Sequence, residues 1–342
     1  TYFGGAAWDG GNAIEINPLN NQVYASGYTT SSTLPNTTGS LNTGNLGGID
    51  GYVTTYNAGT LANLHTTFLG TADADNAHRI AFDSNGDVFV AGRSIGGNYP
   101  ISANAYAVPG GRIYVQKLNP TLSTAIAATT LASTTSTSVV PSAMIIDNCG
   151  NLLLATISSG STSQAGMPLS PDAFQTGSTP FWFCALTPNF GDLFFGSYFG
   201  GSGDHYHPGV ARMDPNGIIY HSVCAAGSPT TIDFPTTAQS FSPLKQNGTT
   251  NDNITFKFNF EATGVKSDFV LDPTLNQNDT GCVPFTVTLQ NLSSSAVEYI
   301  WDFGDNSPTS NQQNVSHTYT APGTYTITLY ANNDTSCVPA DT

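Results

Sequence analysis

Basic residues are scarce in this 342-residue chain, which has eight Lys plus Arg against twenty-three Asp plus Glu and a net charge of −15. That balance excludes nucleic acid as a partner, because phosphate backbones demand clustered basic side chains. No run approaches the roughly 18 apolar residues of a membrane span. No segment of about twelve residues carries a 3.6-residue apolar period, so helix is expected to be nearly absent. The sequence also lacks a Gly-x-Ser-x-Gly elbow, a phosphate-binding glycine loop and a Cys-x-x-Cys pair, which removes the commonest nucleophile, nucleotide and redox signatures. No signal peptide precedes the repeat described next, so the chain is expected to be a processed or excised piece.

What is present is a passage that recurs four times. Turns begin at Asn17, Asp83, Asp147 and Asp214, at spacings of 66, 64 and 67 residues. Each turn leads into an apolar strand, such as Val88 to Val90 or Leu152 to Leu154, and a proline follows at Pro35, Pro100, Pro168 and Pro235. Aromatic-glycine steps open the units at Tyr2-Phe3-Gly4-Gly5, Phe68-Leu69-Gly70 and Tyr198-Phe199-Gly200-Gly201, with a degenerate copy at Thr130-Leu131-Ala132. A long internal period of this kind signals stacked copies of one supersecondary unit. Four short strands per unit, joined by Gly, Asn, Asp and Pro turns, match a β-propeller blade. The strands are apolar at consecutive rather than alternate positions, as when both faces are covered.

The expected fold class is therefore all-β, with blades over 1–67, 68–130, 131–197 and 198–266. Four units are few for a propeller, which has typically about four to eight blades. Either the chain is the C-terminal part of a larger ring, or the opening residues Tyr2 and Phe3 supply the fourth strand that the last unit lacks, pairing near Ile254 to Phe258 and closing a small ring.

Charge marks a second module over 267–342. Every Lys and Arg lies at or before Lys266, whereas eight acids and no base follow from Asp268 onward. Phe285 to Leu289 and Thr324 to Tyr330 alternate as half-buried strands, and Trp301 is a candidate core residue; a small immunoglobulin-like β-sandwich is expected.

Trp301-Asp302-Phe303-Gly304-Asp305, followed by His317-Thr318-Tyr319 and Pro322-Gly323-Thr324-Tyr325, resembles the PKD domain of extracellular proteins. The preceding units resemble the SBBP β-propeller repeat. The last of them, with Asp214-Pro215-Asn216-Gly217 and Asp233-Phe234-Pro235, resembles the final blade of surface proteins associated with gliding motility and type IX secretion in Bacteroidota. The pattern departs at Thr130 to Ser138, where glycines are lost, and at Gly227-Ser228, where relatives often have a cysteine. The resemblance implies an extracellular, cell-surface location and a structural or adhesive role rather than an activity.

Cys282 opens the strand region of the second module and Cys337 ends it, so a bridge between them would tie its first and last strands. Such a staple is worth roughly 2–4 kcal/mol; the alternative is two free thiols. Cys149, Cys184 and Cys224 form an odd set whose pairing stays open. The sharpest metal candidate is Asp204, His205 and His207, since His-x-His in an extended segment points both imidazoles to one side. The competing reading is a loop between blades three and four, and no third well-spaced ligand can be named. Asp73 and Asp75 lack the spacing of a calcium loop and read as turn-capping carboxylates; Asp302 and Asp305 fall in a turn rather than a cleft. No metal or other cofactor is assigned.

The expected function is a non-enzymatic structural or adhesive module of a large secreted surface protein, with other surface proteins or further copies of itself as partners. Trp8, Trp182 and tyrosine-rich loops support a carbohydrate-binding alternative, with glycans as ligands. A propeller-class glycosidase or lyase is the remaining alternative and requires carboxylates or histidines converging on a central channel.

Overall fold

The computed structural model describes the chain except residues 1, 97, 133–138, 159–163, 202–210, 214–217, 226–233, 236, 238–239, 241–251, 260–264, 273–274, 276–278 and 334–339. The chain divides into two compact units, Thr1–Phe260 and Glu261–Thr342. No α-helix occurs among the described residues.

In the first unit, strands β1 (Asp9–Ile16), β2 (Gln22–Thr29), β3 (Asp50–Asn57) and β4 (Asn63–Leu69) form an antiparallel sheet in sequence order. The pattern repeats in β5 (Asp75–Phe82), β6 (Val88–Ser94), β7 (Ile113–Leu118) and β8 (Ala125–Leu131). It repeats again in β9 (Val139–Ile146), β10 (Leu152–Ser158), β11 (Phe181–Leu186) and β12 (Leu193–Phe199). A fourth sheet has three strands among the described residues: β13 (Ala211–Met213), β14 (Ile218–Ala225) and β15 (Asp252–Asn259). These are propeller-like blades. The first strand of each sheet packs beside the first strand of the next. Asn12 on β1 donates to Asn76 Oδ1 (2.5 Å) and Ala77 O (2.8 Å), and Arg79 Nε donates to Ser142 O at 2.7 Å. Glu15 lies within electrostatic range of Arg79 and of Arg212 on β13.

Consecutive apolar residues in the middle strands are explained by what lies on either side. Every residue of β7, β10 and β11 is buried. Leu152, Leu154, Trp182 and Cys184 pack on Phe89, Ile113 and Val115 of the preceding blade. Their neighbours Leu153, Ala155, Phe181 and Phe183 pack on Ile219, Val223 and Phe256 of the following one. Alternation in direction thus survives, but both directions meet a hydrophobic blade face.

Among the described residues β15 pairs only with β14, so the opening residues do not supply the expected fourth strand there. Tyr2 is fully exposed, and Phe3 packs within its own blade against Tyr52 (5.2 Å between centroids) and Tyr56 (6.0 Å). These two tyrosines partly cover the Phe3 ring, so its apolar contact is spent within its own blade.

The terminal unit is a β-sandwich. β16 (Phe269–Leu271), β17 (Phe285–Asn291) and β19 (Val315–Tyr319) form one sheet. β18 (Glu298–Asp302), β20 (Thr328–Asn332) and β21 (Ala340–Asp341) form the other. Trp301 is fully buried between them with Val287, Leu289, Val315 and Leu329. The expected strand at Thr324 begins only at Thr328, which pairs with Asp302. Beyond that pair the chain turns through Gly304 (φ 74°), where any side chain would collide with the Thr326 backbone.

Trp182 fills the contact between the second and third blades and donates its indole N–H to Pro168 O at 2.8 Å. Replacing it with Ala should cost roughly 3–5 kcal/mol through lost burial and a residual cavity. Chemical denaturation read by circular dichroism checks this; a loss below about 1 kcal/mol would mean that the contact between blades is not a tight core.

Candidate functional site

Several carboxylates that could act as acids or ligands instead hold turns. Asp83 Oδ1 accepts from the N–H of Asn85 (2.9 Å) and Asp87 (3.0 Å), and Asp147 Oδ1 accepts from Cys149 (2.8 Å) and Asn151 (2.9 Å). Gly86 and Gly150 close these turns at φ 77°, a conformation that costs glycine little. Asn17 plays the same part in the first blade through Leu19 N–H (3.0 Å), and its amide reaches Gly86 O at 2.9 Å in the neighbouring turn. Lys117 bridges Asp83 (2.9 Å) and Asp87 (3.2 Å). The turn at 214–217 lies outside the described residues.

The motif residues of the terminal unit converge on one knot. Asp302 Oδ1 accepts from Gly304 N–H (2.9 Å), and Asp305 Oδ1 accepts from Ser307 N–H (3.0 Å). His317 Nε2 meets Asp305 Oδ2 at 2.8 Å. The His317 ring stacks on Phe303 at 4.0 Å, and Tyr319 donates its hydroxyl proton to Phe303 O at 2.9 Å. The nearby Ser307 hydroxyl, then His317 and the Ser307 N–H, pull the Asp305 carboxyl down to about 2. Asp302 and Asp305 are therefore engaged in fastening the β18–β19 connection.

Asp204, His205 and His207 lie outside the described residues, and no cluster of three metal-binding side chains occurs among the described ones. Cys282 is an exposed free thiol, which does not match the expected staple; its intended partner, Cys337, lies outside the described residues. Cys149 is disulfide-bonded and Cys184 is a fully buried free thiol. Of the aromatic candidates, Trp182 is core, whereas Trp8 is 79 % exposed. Its backbone is tied to Thr30 through Trp8 N–H to Thr30 Oγ1 (3.0 Å) and Thr30 N–H to Trp8 O (2.8 Å).

One constellation escaped the sequence reading. Asp50 and Asp75, which begin β3 and β5, are both fully buried where the first two blades meet. They lie on the same side of Gly70, where any side chain would collide with both carboxylates. Asp75 Oδ2 accepts from the Thr71 N–H (2.6 Å) and hydroxyl (2.9 Å), the turn-capping role expected for it. Asp50 Oδ2 accepts from the N–H of Leu46 and of Gly47 (3.3 Å). Burial, reinforced by the Asp75 charge, pushes the Asp50 carboxyl up to about 6 against the pull of these two N–H groups. Burial raises Asp75 as well. The pair was illegible because Asp50 and Asp75 belong to different repeats and meet only across a blade contact.

Comparison with known proteins agrees with this architecture. Residues 66–100 match the β-propeller repeat termed SBBP, and residues 270–342 match the PKD domain. No curated protein sequence matches the chain. Among solved structures, a luciferin-regenerating enzyme aligns with 72 % of this chain and 61 % of its own at 12 % identity, with a TM-score of 0.32. That likeness carries no argument.

Two outcomes follow. Because the folded Asp305 carboxyl lies near 2 and an unfolded one near 3.8, its stabilising effect is complete above about pH 4 and is lost as the pH falls toward 2. Thermal denaturation of the full chain across that range should show the loss, and Asp305→Asn should flatten it. Iodoacetamide should label Cys282 in the native protein, Cys184 only after unfolding, and Cys149 only after reduction. Mass spectrometry reads all three; native resistance of Cys282 would restore the staple.

Proposed function

We propose that this chain is an extracellular structural or adhesive module without catalytic activity, part of a larger secreted surface protein, in which the propeller unit and the PKD sandwich present stable surfaces to other surface proteins or to further copies. Propeller repeats and PKD domains fit an extracellular module of this kind, and no helix among the described residues is long and apolar enough to cross a membrane. The observation that carries the reading is the use made of acidic side chains. Asp83, Asp147, Asp302 and Asp305 spend acceptor atoms on backbone N–H groups of their own turns, which anchors them as scaffold rather than leaving them to act on a substrate. Scarce charge on the propeller unit also suits lateral association, which open strand edges permit.

Carbohydrate binding is a second reading, favoured by the exposed Trp8 indole, since an apolar ring face in water is a natural platform for a sugar. A polysaccharide substrate panel together with a glycan array separates the possibilities. The expected result is no turnover and no array signal that depends on Trp8. Binding lost on Trp8→Ala would favour the second reading, and hydrolysis lost on mutating Asp204, His205 or His207 would overturn the non-enzymatic one.

A further inference from the structure

The acid pair at the first blade contact has more unsatisfied polar atoms than a turn requires. Asp50 Oδ1 and Tyr114 Oη are buried without a hydrogen-bond partner, and Asp75 Oδ1 and Ser94 Oγ, buried beside them, have none beyond each other. All four side chains are almost wholly inaccessible, at 0 %, 1 %, 0 % and 0 % exposure. They belong to one place. Asp75 stands opposite Ser94 in the β5–β6 register, both carboxylates face Gly70, and the Tyr114 hydroxyl rests beside Gly51, the residue after Asp50. The backbone is tied across the same spot by Asp75 N–H to Ile49 O at 2.7 Å. Tyr114 is held by face-to-face stacking on Tyr99, 3.9 Å between centroids.

Orphaned buried oxygens are costly, and a carboxylate away from water needs a compensating positive charge. Among the described residues, the charged and titratable groups acting on the pair are Asp73, Tyr99 and Tyr114, and no Lys, Arg or His acts on either carboxyl. Nor does the blade architecture demand two acids here. At the corresponding positions of the next blade contact stand Arg112, whose carbonyl accepts from Ser94 N–H, and Val139, paired with Ser158. Those blades pack without an acid at either position, so two buried acids at the first contact are not a packing device.

We propose that Asp50 and Asp75, with the Ser94 and Tyr114 hydroxyls, bind a hard divalent cation of the calcium type between the first two blades. Four oxygen donors, two of them anionic, match the preference of such an ion for oxygen ligands, and its charge offsets the mutual repulsion of the carboxylates. The ion would act as a clasp on the blade contact.

The test uses the full chain, stripped with chelator and titrated with calcium chloride. Calorimetry should show saturable binding, with a rise in melting temperature that chelator reverses. Asp50→Asn and Asp75→Asn should each weaken that site at least tenfold, removing one site from the isotherm, and Tyr114→Phe should weaken it less. Equal calcium binding in the wild type and both amide variants would overturn the proposal. So would absence of binding at millimolar calcium together with stability that increases as the pH falls through about 6, the sign of a proton shared by the two acids. If neither amide variant folds, terbium decides. Tyrosine-excited terbium emission that calcium displaces from the wild type supports the site, and its absence overturns it.

Discussion

Burial of both faces of the middle strands is the constraint on which the propeller unit depends. A strand such as Leu152–Ser158 has no solvent side: its even-numbered residues Leu152 and Leu154 face one blade and its odd-numbered residues Leu153 and Ala155 the other. A polar residue in that run therefore has no harmless direction, and the contact between blades takes the place of a single central core. The aromatic set spanning Phe181, Phe183, Phe199, Phe256 and Phe258 shows the consequence, since these rings from the third and fourth blades interlock at centroid distances of 4.7 to 6.2 Å.

With apolar surface committed to the blade contacts, polar side chains concentrate on connections. Asp83 and Asp147 each hold the same kind of turn, and the acids of the terminal unit hold its β18–β19 connection, so one chemistry serves two different folds. The reason is common to both. A tight turn leaves backbone N–H groups without strand partners, and a short carboxylate one or two residues away supplies the acceptor. The aromatic-glycine steps have a related role: Gly4 lies against the Asp9 carboxylate as Gly70 lies against those of Asp50 and Asp75. The repeat thus keeps an acid beside its entry glycine in the first two blades, and the third replaces that acid with Val139. A position that tolerates both Asp and Val is free to take on a local function.

Much of this was legible one residue at a time. The turn positions, the doubly buried strands, the absence of helix and the Trp301-to-Asp305 motif are local patterns, and local patterns repeated at a fixed period report the unit that repeats. The strand expected at Thr324 was placed too early because alternation records which way side chains point; pairing ends where Gly304 brings the backbone of its own turn against Thr326. The fate of Phe3 was equally hidden, since its packing against Tyr52 and Tyr56 depends on residues some fifty positions away.

Composition and period were enough to specify an all-β chain of propeller repeats followed by a sandwich, because strand propensity, turn chemistry and apolar runs act between near neighbours. Which charges face one another was decided only when the blades packed. Asp50 and Asp75 each look like an ordinary strand-opening acid in the linear text, and neither carries a mark of the other. Their pairing and the unpartnered Tyr114 hydroxyl beside them arise from the contact between two repeats. Electrostatic environment is a property of three-dimensional neighbours, and a repeat sequence specifies each blade far more directly than it specifies what two blades enclose.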